Sequence, residues 1–236
     1  MKGAGLRSAL PEQTVASVGA GTEADRGSRA RLLSPGDVVF REHDRVCRIH
    51  VVEEGLVMLH HVFPDGRRQI VDLVGPGELC SWEDGTVHNC TAEALTCCRV
   101  ASYGLPQIEA SPDLQRDLAR RLRAMVLRMQ DHAALLGRKT SLERVASLLA
   151  RLAEVRGRPM RPDGASPDRR SIRVSVPLTR REMADHLGIT QETVSRSLTE
   201  LRRRGVIAYE APNEMRIENG AALEMLSGSR GFRRQS

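Results

Sequence analysis

The hydrophobic pattern of this chain changes period once, and that change limits what the chain can fold into. From Arg31 to Ser102 apolar residues come in short runs broken by turn signals, whereas from Pro112 to about Leu136 they recur at spacings of three and four. Side chains alternate faces along a strand but return to one face every 3.6 residues or so along a helix. The chain therefore builds β structure first and helices second, which predicts an α+β fold. "SPGDVVF" (34–40) reads as a turn into a strand. "CRIHVVEEGLVMLHHV" (47–62) reads as two strands parted by Glu54 and Gly55. "FPDGRRQIVDLV" (63–74) carries a Pro-Asp-Gly turn at its tip, and "GPGEL" (75–79) is a further turn. Many short strands joined by tight turns predict a small barrel or jelly roll. Residues 1–30 show little periodicity and read as a flexible arm.

The helical stretch has a stripe made of Leu114, Leu118, Leu122, Met125, Val126, Met129 and Leu136. Arg116, Arg120, Arg121, Arg123 and Arg128 lie mainly off it. A helix of this length needs a partner for its apolar seam. A parallel coiled coil with a second copy is the economical one, and the chain's own barrel is the other. "SLERVASLLARLAEV" (141–155) reads as a second helix with Ser141 as its N-cap. Residues 156–171 are rich in Pro, Gly and charge and read as loop or linker. The expected division is arm 1–30, barrel 31–111, dimerisation helix 112–137, hinge helix and linker 138–171, and C-terminal module 172–236.

That last module holds the stretch "LTRREMADHLGITQETVSRSLTELRRRGVI". Thr179 with Glu182 three residues on fits a capping box, so a helix is expected to about Leu187. Gly188 permits a left-handed turn, and Thr190 can cap the next helix. Two short helices near a right angle need a small residue in the first, here Ala184, and a branched core residue in the second, here Val194. That is helix-turn-helix logic. Val194, Leu198 and Leu201 point inward, whereas Glu192, Ser195, Arg196 and Thr199 form an outward stripe.

The second helix of such a unit puts its N-terminal residues on base edges in the major groove. There Arg196 can donate twice to guanine O6 and N7, and Glu192 can accept from a cytosine or adenine amino group. Ser195 allows close approach, and each such contact discriminates by roughly 1–3 kcal/mol. Gln191, Thr199, Thr179, Thr190, Arg202 and Arg203 are the expected backbone or secondary contacts. "VIAYEAPNEMRIEN" (206–219) reads as a hairpin, a wing beside the motif.

Composition agrees with a polyanionic partner. The formal net charge is +6, and from Arg169 onward there are thirteen Arg, no Lys and eight acidic residues. Arg suits bidentate contact with phosphates and guanine. One Trp, two Tyr and three Phe are too few for a stacking platform on single strands. No phosphate loop, C-x-x-C or H-E-x-x-H occurs, so an enzyme is not expected. An acid at Glu192 facing DNA is costly unless it reads a base, which argues against a nonspecific architectural binder. No secretion signal or apolar run near the roughly 20 residues of a membrane span is seen, so a cytoplasmic protein with reduced thiols and no membrane partner is expected.

Barrel, long helix, linker and winged helix-turn-helix, in this order, resemble the CRP/FNR superfamily of bacterial transcription regulators. "PDGRRQIVDLVGPGEL" looks like the FNR-type version of its cyclic-nucleotide-binding-like jelly roll. "ETVSR" (192–196) is similar to the E-x-x-S-R signature of the FNR and FixK branches. The resemblance implies TTGA half-sites in an inverted repeat such as TTGA-N6-TCAA, read by Glu192, Ser195 and Arg196. It further implies a homodimer, activation through RNA polymerase, and genes of low-oxygen or nitrogen-oxide respiration. Two departures bear on cofactors. Relatives that bind cyclic AMP place an Arg-Ser pair about ten residues after the Gly-Glu of the phosphate cassette; here Gly77-Glu78 is followed by His88-Asn89, which cannot form that charged clamp. Iron-sulfur relatives carry an N-terminal cysteine cluster, whereas the first cysteine here is Cys47. No cofactor is therefore expected. The alternative is a haem-, iron-sulfur- or thiol-gated sensor of the same fold, with Cys80, Cys90, His60, His61 and His88 as the available ligands or redox groups.

Overall fold

The computed structural model describes residues 29–81, 86–160 and 171–228. The arm expected over 1–30 lies outside the described residues apart from Arg29 and Ala30, which already belong to a strand. Residues 161–170 of the expected linker also lie outside them.

Two antiparallel sheets face each other in the N-terminal half. One has the order β1 (Arg29–Leu33), β7 (Cys98–Gly104), β3 (Arg48–Glu54). The other has the order β2 (Val38–Phe40), β6 (Thr91–Ala94), β4 (Val57–Val62), β5 (Arg68–Val74). The Pro-Asp-Gly turn closes a true hairpin, with the Phe63 amide donating to the Arg67 carbonyl at 2.8 Å. The turn at Glu54 and Gly55 does something else: it carries the chain from one sheet to the other. Gly55 has φ +92, and a Cβ there would sit 2.4 Å from the Cys97 carbonyl oxygen and 2.5 Å from the Cys98 Sγ. Only glycine makes that corner. Between the sheets the interior is filled by Phe40, Val52, Val57, Leu59, Val74 and their neighbours, with Cys80, Cys90 and Cys98 packed among them.

A short helix, α1 (Leu105–Glu109), leads into α2 (Pro112–Arg138), whose N-cap Ser111 accepts from the Leu114 amide. This helix carries two apolar seams where the sequence suggested one. Leu118 is fully buried in the single chain against Ile49, Val51, Leu79 and Ile108, and Leu114, Leu122 and Met125 lean on the same cluster. Leu118 is thus a correction to the expected dimer seam, because the barrel fills that face. Val126, Leu127 and Met129 remain 45–55% exposed. The outward line runs Ala119, Val126, Met129 and Ala133, all exposed, while Leu122 and Leu136 at its edges pack within the chain.

The third helix, α3 (Ser141–Arg156), is capped one residue earlier than expected. Thr140 and Glu143 bond reciprocally, Thr140 N to Glu143 Oε2 at 2.7 Å and Glu143 N to Thr140 Oγ1 at 3.4 Å; Ser141 is merely the first helical residue. Nor is α3 a hinge. Val145, Leu148, Leu149 and Leu152 are buried in the C-terminal core, so that module begins at Thr140, well before residue 172. Residues 157–160, read as linker, form strand β8 (Gly157–Met160), paired with β9 (Ser171–Ser175). The sheet continues through β11 (Glu214–Ile217) to β10 (Ile207–Ala211), whose hairpin turns at Pro212 and Asn213 as expected. Helices α4 (Arg180–Leu187), α5 (Gln191–Arg203) and α6 (Gly220–Ser227) complete the module.

The two halves share a seam. Ile70 and Leu73 of β5, with Leu56 and Met58, join the same apolar cluster as Met183 and Leu187 of α4. Around it Arg68 pairs with Asp185 at 3.0 Å and Arg128 with Asp72 at 3.2 Å. Arg151 bonds Glu78 at 2.5 and 2.6 Å. His186 is buried there, its Nδ1 3.2 Å from the Ile70 carbonyl and its ring stacked on His132 at 4.5 Å.

Candidate nucleic-acid interface

The turn between α4 and α5 is built as the sequence requires. Thr179 Oγ1 accepts from the Glu182 amide at 3.2 Å while Glu182 Oε2 accepts from the Thr179 amide at 2.8 Å. Gly188 adopts φ +61, ψ 39, and its amide donates to the Ala184 carbonyl. Leu136 of α2 lies against it, since a Cβ on Gly188 would meet Leu136 Cδ2 at 3.3 Å, and Arg144 donates to the Leu187 carbonyl at 2.8 Å. Thr190 then caps α5 by accepting from the Thr193 amide. Ala184, Val194, Leu198 and Leu201 are buried, which fixes the rotation of α5 and turns its other face out.

That outward face holds Gln191, Glu192, Ser195, Arg196, Thr199, Arg202 and Arg203, all exposed. Glu192 and Arg196, four apart, pair with each other across one helical turn, with side chains 71% and 75% exposed. An exposed pair of this kind holds loosely and is readily exchanged for contacts with base edges. The hydroxyls of Ser195 and Thr199 donate back to the carbonyls of Gln191 at 3.0 Å and Ser195 at 2.9 Å. Their oxygens are left as acceptors toward the outside. Glu200 bonds Arg203 and Arg204, each at 2.7 Å, and Arg203 first, then Arg204, draws its carboxyl down to about 2. Arg203 is thus charge-compensated within the helix, and Arg202 is not paired with any carboxylate among the described residues. The sequence reading treated these two arginines alike. It also passed over Arg180, at the start of α4, whose guanidinium lies over the Tyr209 ring of β10 together with that of Arg202.

A protruding helix on a helix-turn-helix, followed by a β-hairpin, fits the major groove of duplex DNA. Comparison with known proteins agrees. Residues 143–226 match the Crp-like helix-turn-helix domain and residues 30–110 the cyclic nucleotide-binding domain. The nitrogen fixation regulation protein FixK of Azorhizobium caulinodans is 33% identical over 223 residues, covering 93% of this chain and 84% of that protein. The transcriptional activator protein FnrL of Cereibacter sphaeroides is 36% identical over 207 residues, covering 82% and 78%. The solved structure of FixK2 from Bradyrhizobium japonicum superposes with a TM-score of 0.72 at 26% identity, over 85% of this chain and 97% of that one.

The chain belongs to the CRP/FNR family of transcription regulators.

Its likeness to FixK places it in the FixK-like branch of that family. The start of the domain match at residue 143 agrees with the packing of α3 into the DNA-binding module. Among the described residues no helix is long and apolar enough to cross a membrane.

In the barrel, the cysteines singled out from sequence share the core between the sheets, whereas the histidines have other partners. Cys80 is fully buried between the sheets, and burial first, with the Cys98 and Cys90 thiols next, pushes its thiol well above the usual range. That is the opposite of the lowered pKa that makes a cysteine reactive. Cys90 is buried in the same cluster. The His88 ring is buried and stacked on Phe40 at 3.7 Å. His60 lies 3.4 Å from Glu93, and His61 3.2 Å from Glu42. Among the described residues no three His, Cys, Asp or Glu side chains converge in a way that could hold a metal ion.

Proposed function

We propose that this regulator is a homodimer that reads an inverted repeat of the TTGA-N6-TCAA type, using Glu192, Ser195 and Arg196 for the bases. The observation that carries the reading is the exposed stripe on α5: an acid, a hydroxyl and a guanidinium on one face, with only each other and their own helix as partners among the described residues. Gln191, Thr199 and Arg202 would hold the sugar-phosphate chain beside them; Thr179 and Thr190, exposed N-caps of α4 and α5, are the further candidates for such contacts. Two such helices one turn of DNA apart need a two-fold axis. The open apolar line of α2 through Val126 and Met129 supports that pairing.

The reading includes no cyclic nucleotide, and two placements in the barrel support this. His88, near the position of the family's clamp arginine, is packed flat on Phe40 and offers no guanidinium. The carboxylate of Glu78 accepts from the Gly75 amide at 2.8 Å and from Arg151, so it is turned to α3. FnrL is a transcriptional activator by name; activation of transcription through RNA polymerase is the proposed output here, and low-oxygen or nitrogen-oxide respiration genes are the proposed targets. Selection of bound sequences from a random duplex pool, with protein purified in air and no ligand added, tests this. Enrichment of paired TTGA and TCAA elements supports the assignment. Enrichment of an unrelated sequence, or of nothing, refutes it.

A further inference from the structure

The DNA-binding face holds a second feature, away from the base-reading residues. Arg180 opens α4, Arg202 lies in the last turn of α5, and Tyr209 is the third residue of β10. The three elements bring them together. Both guanidinium carbons lie 5.7 Å from the centre of the Tyr209 ring. Arg180 Nη2 also donates to the Tyr209 hydroxyl at 3.2 Å, and its Nη1 lies 3.4 Å from Met183 Sδ. Neither arginine has a carboxylate partner among the described residues, whereas Arg203 and Arg204 share Glu200, and Arg173 and Arg216 pair with Glu210 and Glu218. Two like charges gathered on one ring, with no carboxylate partner among the described residues, form a site suited to an anion. An aromatic face attracts guanidinium groups and fixes their planes without consuming their donors.

We propose that Arg180, Arg202 and Tyr209 form a clamp for the DNA backbone, with the tyrosine positioning both arginines against phosphodiester oxygens. The placement suits that task. Arg202 continues the outward line of Ser195 and Thr199 by one helical turn, and the first helix of such a motif crosses the backbone. Tyr209 is 40% exposed, Arg202 is exposed and Arg180 is half-buried, so the cluster opens to solvent. The clamp supplies affinity without sequence information, since phosphates are alike at every step. It rests on the reading of this module as a duplex DNA binder.

The test is the salt dependence of binding by the full chain, measured on a TTGA-N6-TCAA duplex and on a scrambled duplex. Each phosphate contact adds roughly 0.9 to the slope of log K against log salt. Arg180→Ala and Arg202→Ala should each flatten the slope by about that much for every copy bound, on both duplexes alike. Tyr209→Ala should weaken binding and flatten the slope with both arginines still present, and Tyr209→Phe should restore most of the loss. The preference for the repeat over the scrambled duplex should change by less than about twofold. Unchanged slopes in both arginine variants would overturn the clamp. So would a Tyr209→Ala protein with wild-type slope and affinity, or a collapse of preference in any of the variants. Arg202 is exposed and Arg180 half-buried, so the Arg202 variant decides the matter should Tyr209→Ala fail to fold. A wild-type protein that binds both duplexes equally refutes the repeat-reading proposal, while the slopes still test the clamp.

Discussion

At the scale of single residues, the helix-turn-helix was the most legible part of the chain. Its signals are local: Thr179 and Glu182 cap each other, and Gly188 takes the φ that side chains avoid. Such signals depend on neighbours within one helical turn, so they survive without knowledge of the fold. The Arg203–Glu200 pair was equally local yet was missed, because a carboxylate and a guanidinium three apart are as common on a helix face that merely meets water. For base reading, Arg196→Ala should cost about 1–3 kcal/mol of discrimination at the guanine of the half-site and leave the fold intact. Competition binding with that base pair replaced measures it; undiminished discrimination would remove Arg196 from the readers. His186 offers a second prediction. Burial first, then His132, holds its pKa down to about 3, against 6.5 for an unperturbed ring. Between those values the unfolded chain binds a proton that the folded chain refuses, so stability is lost as pH falls from 6.5 and is complete above it. The loss should approach roughly 1.4 kcal/mol per pH unit for this one group. His50, held near 4 mainly by burial, adds to the same trend. Urea midpoints compared for wild type and His186→Gln should show a shallower pH slope in the variant.

At the scale of elements, the long helix shows where periodicity runs out. The sequence spacing of Leu114, Leu118, Leu122, Met125, Val126 and Met129 is helical throughout, but a period of three and four fits two adjacent stripes as well as one. Only the barrel decides between them, and it takes Leu118. The packing of α3 was hidden for a related reason: its stripe faces β9, α5 and α6, elements that lie beyond the linker. The β8 strand was hidden because it pairs with β9 across residues 161–170, and its Gly and Pro read as turn signals. The two seams of α2 should separate in experiment. Leu118→Ala should lower stability by about 2–5 kcal/mol with little effect on self-association. Replacing Val126 and Met129 together with Asp should yield folded monomers in sedimentation. A dimer surviving that double change would refute the outward seam.

At the scale of the whole molecule, the barrel and the DNA-binding module are held together by one apolar cluster ringed with ion pairs. Arg68 reaches from β5 to both Asp185 and Glu182, and Glu182 is the residue that caps α4. The placement of α5 is therefore tied to the barrel through α4, and nothing in the local sequence revealed that tie. The order of domains was legible, since each has its own period, but their docking depends on side chains a hundred residues apart. The central claim is that this assembled chain, with no cofactor added, reads a TTGA-N6-TCAA repeat. Titrating protein purified in air onto that duplex and onto a scrambled one, by fluorescence anisotropy at two salt concentrations, tests it most directly. The account predicts a preference of at least about a thousandfold for the repeat, weakening in absolute affinity but persisting at the higher salt. Equal binding to the two duplexes, lost equally as salt rises, would contradict it.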